Sequence, residues 1–509
     1  HLCERQGGFQ HLLAALVDKS LLQQVPGLEP RYRMLETLRE FGIERLAATG
    51  DVAAVRRAHA HHFLAVVEAA DPHLRRPEQV EWLLRLTADR DNLLAALRFC
   101  VDTGDAATAV RLGAALAWYW TIRSEHGTAA TWLSAAARVP GDAPADARAV
   151  CMVLGVISSA ASAADFGGLS ERLAEARKLD IGKSWSEHPV LGLLEPVAAM
   201  LTDDEERAFA LLEGSEPADP WGRATRHFLS AMLFENDGRF DEYRLSLKRA
   251  IEGYREVGER WGLSNTLSAL GSLRLADGDI DGSLAAYGEA HRLMSEITAS
   301  EDASFTRTRL AIAYARGGDL DRARSELAIA REEAERAGST IGLISSDLGM
   351  ADLARDSGDR AEARRLAEGA LAGAQRINGG PPQLVATVLA TLATLDAEDG
   401  DADLARDRLR EAATLPTADR DMPVMGAVAL AAAYVELRAG DLQRSATMFG
   451  AALALRGTEE LGNPQVQRLR RELTAALGAD TLDRIYNDGA ALPREQALDL
   501  LRGNAVDVG

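Results

Sequence analysis

A glycine turn recurs through the second half of the chain at a nearly fixed interval, which restricts the fold to a stack of similar small units. The turns read Asp237-Gly238-Arg239, Asp277-Gly278-Asp279, Gly317-Gly318-Asp319, Ser357-Gly358-Asp359, Asp399-Gly400-Asp401 and Ala439-Gly440-Asp441. The glycines 238, 278, 318, 358, 400 and 440 are spaced by 40, 40, 40, 42 and 40 residues. Glycine adopts the left-handed conformation that ends a helix, and the following Asp accepts from the exposed N–H groups that start the next one. Each mark therefore predicts a helix-turn-helix hairpin. Around Gly278, Leu263, Leu267, Leu270 and Leu273 precede the turn and Ile280, Leu284, Tyr287 and Ile297 follow it, all at helical spacing. A two-helix hairpin cannot bury both of its apolar stripes alone, so adjacent units must stack.

Small residues mark where paired helices approach. Twelve positions after each turn glycine stands an alanine: Ala250, Ala290, Ala330, Ala370, Ala412 and Ala452. Seven positions before it stand Ala231, Gly271, Ala311, Ala351, Ala393 and Ala433, and five after it stand Ala323, Ala363 and Ala405 in three units. These offsets resemble the tetratricopeptide repeat, whose usual period of about 34 residues is lengthened here by about six. A general HEAT-like hairpin stays open on period alone. The fold class expected is all-α: a right-handed helical-hairpin, TPR-like solenoid with a small N-terminal partial winged-helix element.

Five segments are expected: 1–50 as the partial winged helix, 51–140 as a helical linker region, 141–230 as irregular helical hairpins, 231–455 as the regular repeats and 456–509 as C-terminal capping helices. Weaker hairpins are read around Gly104-Asp105, Glu125-His126-Gly127, Phe166-Gly167-Gly168 and Thr202-Asp203-Asp204, with prolines 140, 144, 189, 217 and 220 in loops. In the first fifty residues Phe9 to Val17 is helix-like. Leu21 to Val25 and Tyr32 to Leu35 read as short strands about the turn Pro26–Pro30, and Glu36 to Ala48 as a helix ending at Gly50.

Leu16-Val17-Asp18-Lys19-Ser20-Leu21-Leu22 followed by Arg31-Tyr32-Arg33-Met34-Leu35-Glu36-Thr37-Leu38-Arg39-Glu40-Phe41 is similar to the winged-helix segment of bacterial STAND regulators, the AfsR-like and predicted-ATPase transcriptional regulators. Arg57-Ala58-His59, Phe63-Leu64-Ala65, Trp82-Leu83 and Asp91-Asn92-Leu93 resemble the helical segment that follows in that family. Ala476-Leu477-Gly478 and Ala490 to Leu501 resemble its closing helices. The resemblance implies a sensor and interaction region downstream of an NTPase module and a DNA-binding domain. ATP or ADP would belong to such an upstream module, and no cofactor is expected in this chain. The family's nucleotide-touching His falls at Met34-Leu35-Glu36, where Leu35 stands, so that contact does not carry over and Leu35 reads as a core residue at a strand end. The chain starts at His1, which suggests a downstream piece of a longer polypeptide.

Composition excludes several other classes. Asp+Glu 77 against Lys+Arg 57 gives a formal charge of −20, which disfavours sequence-independent hold on nucleic acid or on an anionic membrane. Residues 1–62 carry eight basic against seven acidic side chains, so no direct nucleic-acid contact is expected there. Cys3, Cys100 and Cys151 form no CxxC pair, which supports neither a disulfide framework nor a zinc site and points to a reducing cytoplasm. No uninterrupted apolar run has the length of a membrane span; Leu112 to Trp120 is short and closed by Arg111 and Arg123. No phosphate-binding GxxxxGK[ST] loop occurs. His59, His61 and His62 lack further ligands nearby and read as packing or solvated histidines. The acid runs Asp203-Asp204-Glu205-Glu206 and Glu332-Glu333 read as helix-dipole and solvated-face residues, and no catalytic motif accompanies them, so an enzyme is not expected. Trp118, Tyr119 and Trp120 read as core.

In a tetratricopeptide array the first helix of each pair lines a concave groove. Mapping from the glycines places Asn265, Ser268, Ser272, Thr308, Ser345, Asp352, Arg355, Thr387 and Thr394 on that face. The function expected is a sensor or protein-interaction region of a cytoplasmic multidomain transcriptional regulator, taking a protein, peptide or other effector ligand in the groove. The alternative is a free-standing scaffold or adaptor with no transcriptional role.

Overall fold

A computed structural model describes residues 9–25, 31–163, 171, 174–175, 178–179, 190–201, 204–214, 217, 219–297, 301–377, 382–416 and 418–504. The turn Pro26–Pro30, Phe166-Gly167-Gly168, Thr202-Asp203 and Cys3 lie outside them. The chain is an all-α solenoid of tetratricopeptide type. Its first part runs α1 (Phe9–Asp18), β1 (Gln23–Val25), β2 (Arg31–Arg33), α2 (Glu36–Thr49), α3 (Val52–Ala70), α4 (Gln79–Ala88), α5 (Arg90–Thr103), α6 (Ala106–Ile122), α7 (His126–Arg138), α8 (Ala145–Ala163), α9 (Leu191–Leu201) and α10 (Glu205–Glu213). Six hairpins follow: α11 (Pro220–Asp237) with α12 (Phe240–Val257), α13 (Arg260–Asp277) with α14 (Ile280–Ile297), α15 (Glu301–Arg316) with α16 (Leu320–Ala337), α17 (Thr340–Asp356) with α18 (Arg360–Arg376), α19 (Pro382–Glu398) with α20 (Ala402–Thr414), and α21 (Met422–Ala439) with α22 (Leu442–Arg456). Three helices close the chain, α23 (Pro464–Leu477), α24 (Ala479–Ala490) and α25 (Arg494–Arg502).

The turn chemistry acts as its residues dictate. All six turn glycines have positive φ, between 71° at Gly238 and 92° at Gly400. Asp279, Asp319, Asp359, Asp401 and Asp441 each accept a hydrogen bond from the backbone N–H three residues on, whereas Arg239 leaves its helix without a side-chain cap. The alanines of the period are the contact points: Ala250, Ala290, Ala330, Ala370 and Ala412, with Ala231, Ala311, Ala351, Ala393 and Ala433, are at most 1% exposed. Where the position five after the turn is Ser283 or Ser445 instead of alanine, its hydroxyl donates to the carbonyl of Gly271 (2.9 Å) or Ala433 (2.7 Å) on the paired helix. A hydroxyl thus replaces a methyl contact without leaving a buried polar atom unpaired.

Arginines staple successive units. The residue six after the turn is Arg244, Arg324, Arg364 or Arg406 in four hairpins, and each reaches the end of the next unit's first helix. Arg244 binds Asp277 (2.6 Å), Arg324 binds Ser357 Oγ (3.4 Å), Arg364 binds Asp396 (2.7 Å), and Arg406 binds Glu436 (2.6 Å). Asp396 and Glu436 are buried, and each is held from the other side by its own hairpin, by Arg408 (2.6 Å) and Arg444 (3.0 Å). α21 is long and apolar enough to cross a membrane by length and mean hydropathy (1.3). Here it is a core helix, with Met425, Val428, Ala429 and Ala433 fully buried and Glu436 in its ion cluster.

The N-terminal helices dock on the array through Glu259, the N-cap of α13. Its fully buried carboxylate oxygens accept from the N–H groups of Trp261 (3.0 Å) and Gly262 (2.6 Å) and from Gln79 Nε2 (2.5 Å), while Gln79 Oε1 accepts from the Arg260 N–H (2.9 Å). Trp118 stands edge-on to Trp221 and Trp261, with centroids 5.0 and 5.3 Å apart, and all of Trp118–Trp120 is core. Helix, two-stranded antiparallel ladder and helix do occupy residues 9–49, with Gln23 opposite Arg33 and Val25 opposite Arg31. Leu35 is not a core residue: it precedes α2 and is 50% exposed, because α2 buries no side chain. Phe41 (61%), Leu12 (55%) and Ile43 (43%) are exposed with it. The bidentate pair Arg31–Asp89 (2.7 and 2.8 Å) ties this element to the loop after α4.

Two stability predictions follow from these buried acids. Replacing Asp396 with Ala strands Arg408, leaves Arg364 to Asp399 (2.9 Å), and should lower unfolding free energy by about 2–4 kcal/mol in urea titration; a loss under about 0.5 kcal/mol would remove the staple from the account. Burial, only partly offset by Gln79 and the two N–H donors, raises the Glu259 carboxyl from 4.5 to about 7. A raised acid binds more protons folded than unfolded, so its stabilisation is complete below about 4.5 and is lost as pH climbs to about 7. Glu259→Gln should flatten that part of the stability–pH curve, on the order of 2–3 kcal/mol; an unchanged slope would contradict the assignment.

Candidate functional site

The repeats curl until the last hairpin meets the first. The Met422 N–H donates to Asn236 Oδ1 (3.0 Å), Arg456 Nη1 to Glu235 Oε1 (3.2 Å), and Arg494 Nη1 to Asp237 Oδ1 (3.3 Å). The loop between α22 and α23 then lies across the ends of the first helices. The Gly462 N–H donates to the Ala276 carbonyl (3.1 Å), and Arg316 comes within 3.8 Å of Glu460. This seam requires glycine: a Cβ on Gly462 would stand 2.1 Å from the Leu275 carbonyl oxygen, and one on Gly457 2.6 Å from Gly238 Cα.

Closure turns the inner face into a cleft of about 370 Å³ between α15, α17, α19 and α21 on one side and the end of α22, the Gly457–Gly462 loop and α23 on the other. Arg355 is the most buried ionic group in it, its side chain 7% exposed and 3.6 and 3.7 Å from Asp352 and Asp356. Its Nη2 has no hydrogen-bond partner, nor has Arg456 Nε. Asp352 points into the cleft, solvent-accessible yet surrounded by protein, and that desolvation raises its carboxyl more than Arg355 lowers it. At the far wall Arg470 binds Glu459 and lies over the rings of Phe449 and Tyr486. Burial pushes the Tyr486 hydroxyl up to about 12, so it stays a neutral phenol.

Four of the nine groove residues line this cleft: Asp352, Arg355, Thr387 and Thr394. Asn265, Ser268, Ser272, Thr308 and Ser345 do not. Thr308 is buried with its hydroxyl on the Ser304 carbonyl (3.0 Å), because neighbouring hairpins cover both flanks of α15. Ser272 is engaged by the Tyr287 hydroxyl and Arg309 (both 2.8 Å), and Asn265 donates to the Trp261 carbonyl (2.9 Å). Ser268 is half-buried with a buried, unpartnered hydroxyl oxygen, and Ser345 is half-buried away from the cleft. Mapping by repeat missed Arg316, which the period places at a helix end, and Phe449, Arg456, Glu460 and Tyr486, which come from segments at or beyond the last hairpin. The only sequence signal for the latter was the off-period glycine pair Gly457 and Gly462.

The other sequence candidates fall to local structure. Asp204 caps α10, Glu332 pairs with Arg336 (2.9 Å), and Glu333 with Arg307 (3.1 Å). Cys100 and Cys151 are buried free thiols pushed up to about 12 by desolvation. His59 packs on Phe63, and among the described residues no group of three or more His, Cys, Asp or Glu is placed to hold a metal.

Replacing Gly462 with Val should open the seam and raise the radius of gyration measured by small-angle X-ray scattering, with a stability loss of about 1–3 kcal/mol. An unchanged radius and an unchanged Tm would contradict closure at this loop.

Solved structures with similar folds include a STAND protein with a tetratricopeptide repeat sensor from Pyrococcus horikoshii (14% identity, 94% of this chain, 60% of that one, TM-score 0.41), yeast Tom70 (13%, 86% and 99%, 0.34) and BtubC from P. vanneervenii (19%, 43% and 88%, 0.32). This chain thus spans 60% of the length of the STAND protein. No curated protein matches it. Residues 342–418, from α17 into the loop after α20, match the tetratricopeptide repeat family, the repeat predicted from the glycine and alanine spacing.

Proposed function

We propose that this chain is the effector-sensing arm of a cytoplasmic transcriptional regulator of the STAND kind. The cleft carries this reading, because it presents buried guanidinium donors without hydrogen-bond partners, Arg355 Nη2 and Arg456 Nε, to whatever enters it. Such groups are costly to maintain in a purely structural interior. The seam narrows the inner face to a cleft of about 370 Å³, which favours a small effector. Occupancy would bias the closed array against an opened one, and the difference in affinity between the two states is what could be transmitted.

The N-terminal element offers the route of transmission. Its exposed apolar side chains Leu12, Leu35, Phe41 and Ile43 are available to an upstream nucleotide-switch module, as in the winged-helix reading of residues 1–50. In the regulator, removing residues 231–455 should abolish effector-dependent promoter output, read by a reporter fusion. Regulated output that survives the deletion overturns the proposal.

A further inference from the structure

Many ion pairs of this protein close to hydrogen-bond length, as in Arg244–Asp277 (2.6 Å) and Arg364–Asp396 (2.7 Å). Several of those facing the cleft do not. Arg355 stays 3.6 Å from Asp352 and 3.7 Å from Asp356, Arg316 3.8 Å from Glu460, and Arg456 Nε 3.9 Å from Glu460. Arg355 Nη2 and Arg456 Nε consequently keep donors that no protein atom accepts from, although both atoms are buried. Unused donors on buried guanidinium groups are an arrangement for binding an external carboxylate.

Acceptors are left over as well. The hydroxyl hydrogens of Thr387, Thr391 and Thr394 are spent on the carbonyls of Gln383 (2.9 Å), Thr387 (3.3 Å) and Ala390 (3.0 Å), so these side chains face the cleft as oxygen lone pairs. The Asp352 carboxylate joins them, making no hydrogen bond as short as its neighbours' ion pairs elsewhere. An ammonium group needs such a set of acceptors.

The charge balance restricts the guest further. Glu459 is taken by Arg470 and Arg456 Nη1 by Glu235 (3.2 Å), which leaves Arg316, Arg355 and the unpartnered Nε of Arg456 facing Asp352, Asp356 and Glu460. An anion alone would meet an uncompensated carboxylate, and a cation alone an uncompensated guanidinium. A guest carrying both charges close together satisfies both. At about 370 Å³ the space lies at the small end of ligand pockets, about 300–1,000 Å³, and Ile312, Leu430 and Phe449 add apolar wall for a side chain.

We infer that the cleft binds a small zwitterion of the amino-acid or dipeptide class, its carboxylate on Arg355 and its ammonium on Asp352. This inference rests on the sensor reading and names its effector. Arg456 would supply a second donor to the carboxylate, and the threonine oxygens would complete the ammonium shell.

The test is a thermal-shift screen of the full 509-residue chain with the twenty L-amino acids and glycylglycine singly, and acetate and methylammonium as one-charge controls, followed by calorimetric titration of any stabilising probe. At least one zwitterion should raise Tm by several degrees, and neither control should. Asp352→Asn, which keeps size and shape, should weaken binding of that probe at least about tenfold, and Arg355→Met at least as much. If Arg355→Met does not fold, Asp352→Asn alone decides. A flat screen, equal stabilisation by acetate or methylammonium, or full affinity in Asp352→Asn would each overturn the ligand class. The promoter experiment reads separately, so a flat screen beside array-dependent regulation refutes the zwitterion and leaves the sensor standing.

Discussion

Helix pairs in this protein meet through alanine, and the distance that alanine permits sets everything larger. Seven residues before and twelve after each turn glycine the helices carry a small residue, buried in nearly every unit, and the same spacing repeats from Ala231 to Ala452. Uniform close approach fixes one geometry per hairpin, and repetition of one geometry produces a curve. Here the curve is tight enough that Asn236, Asp237 and Gly238 on the first hairpin meet Met422, Gly457 and Arg494 at the end of the chain. The curvature thus follows from a small-residue pattern written six times, and the seam contacts close it.

Polar chemistry in the array divides into two kinds. Asp396, Glu436 and Glu259 are buried, fully hydrogen-bonded and structural: they hold unit to unit or the N-terminal helices to the array. Arg355 and Arg456 are largely buried, yet Arg355 Nη2 and Arg456 Nε have no hydrogen-bond partner, and Asp352, half-exposed in the cleft, stands 3.6 Å from Arg355. A stack built only for stability gains nothing from the second kind, since a buried donor without an acceptor costs about 1–3 kcal/mol. That contrast motivates the binding role proposed for Arg355 and Arg456.

The turn glycines, the capping aspartates and the two alanine positions were legible in the sequence because each acts within one hairpin, where spacing is geometry. The helix-strand-strand-helix order of the first fifty residues was legible for the same reason. Leu35 was misplaced because its exposure depends on what α2 packs against, and α2 buries nothing here. The stapling arginines were visible as residues but not as a pattern, since their acceptors lie on the next unit, 30 to 35 positions away. Of the groove residues, Asp352, Arg355, Thr387 and Thr394 were placed by the repeat, whereas Arg456, Glu460 and Tyr486 belong to the cleft only through closure, which no local spacing encodes.

Native-state hydrogen exchange at the Gly462 and Met422 amides tests closure most directly, because these two N–H groups, one in the loop before α23 and one at the start of α21, donate across the seam to the Ala276 carbonyl and to Asn236. The closed superhelix predicts both amides protected well beyond the rate of an unstructured peptide, at a level similar to each other. Exchange of both at the unstructured rate, with the helix interiors still protected, would mean that the array stands open and that the cleft does not exist in solution.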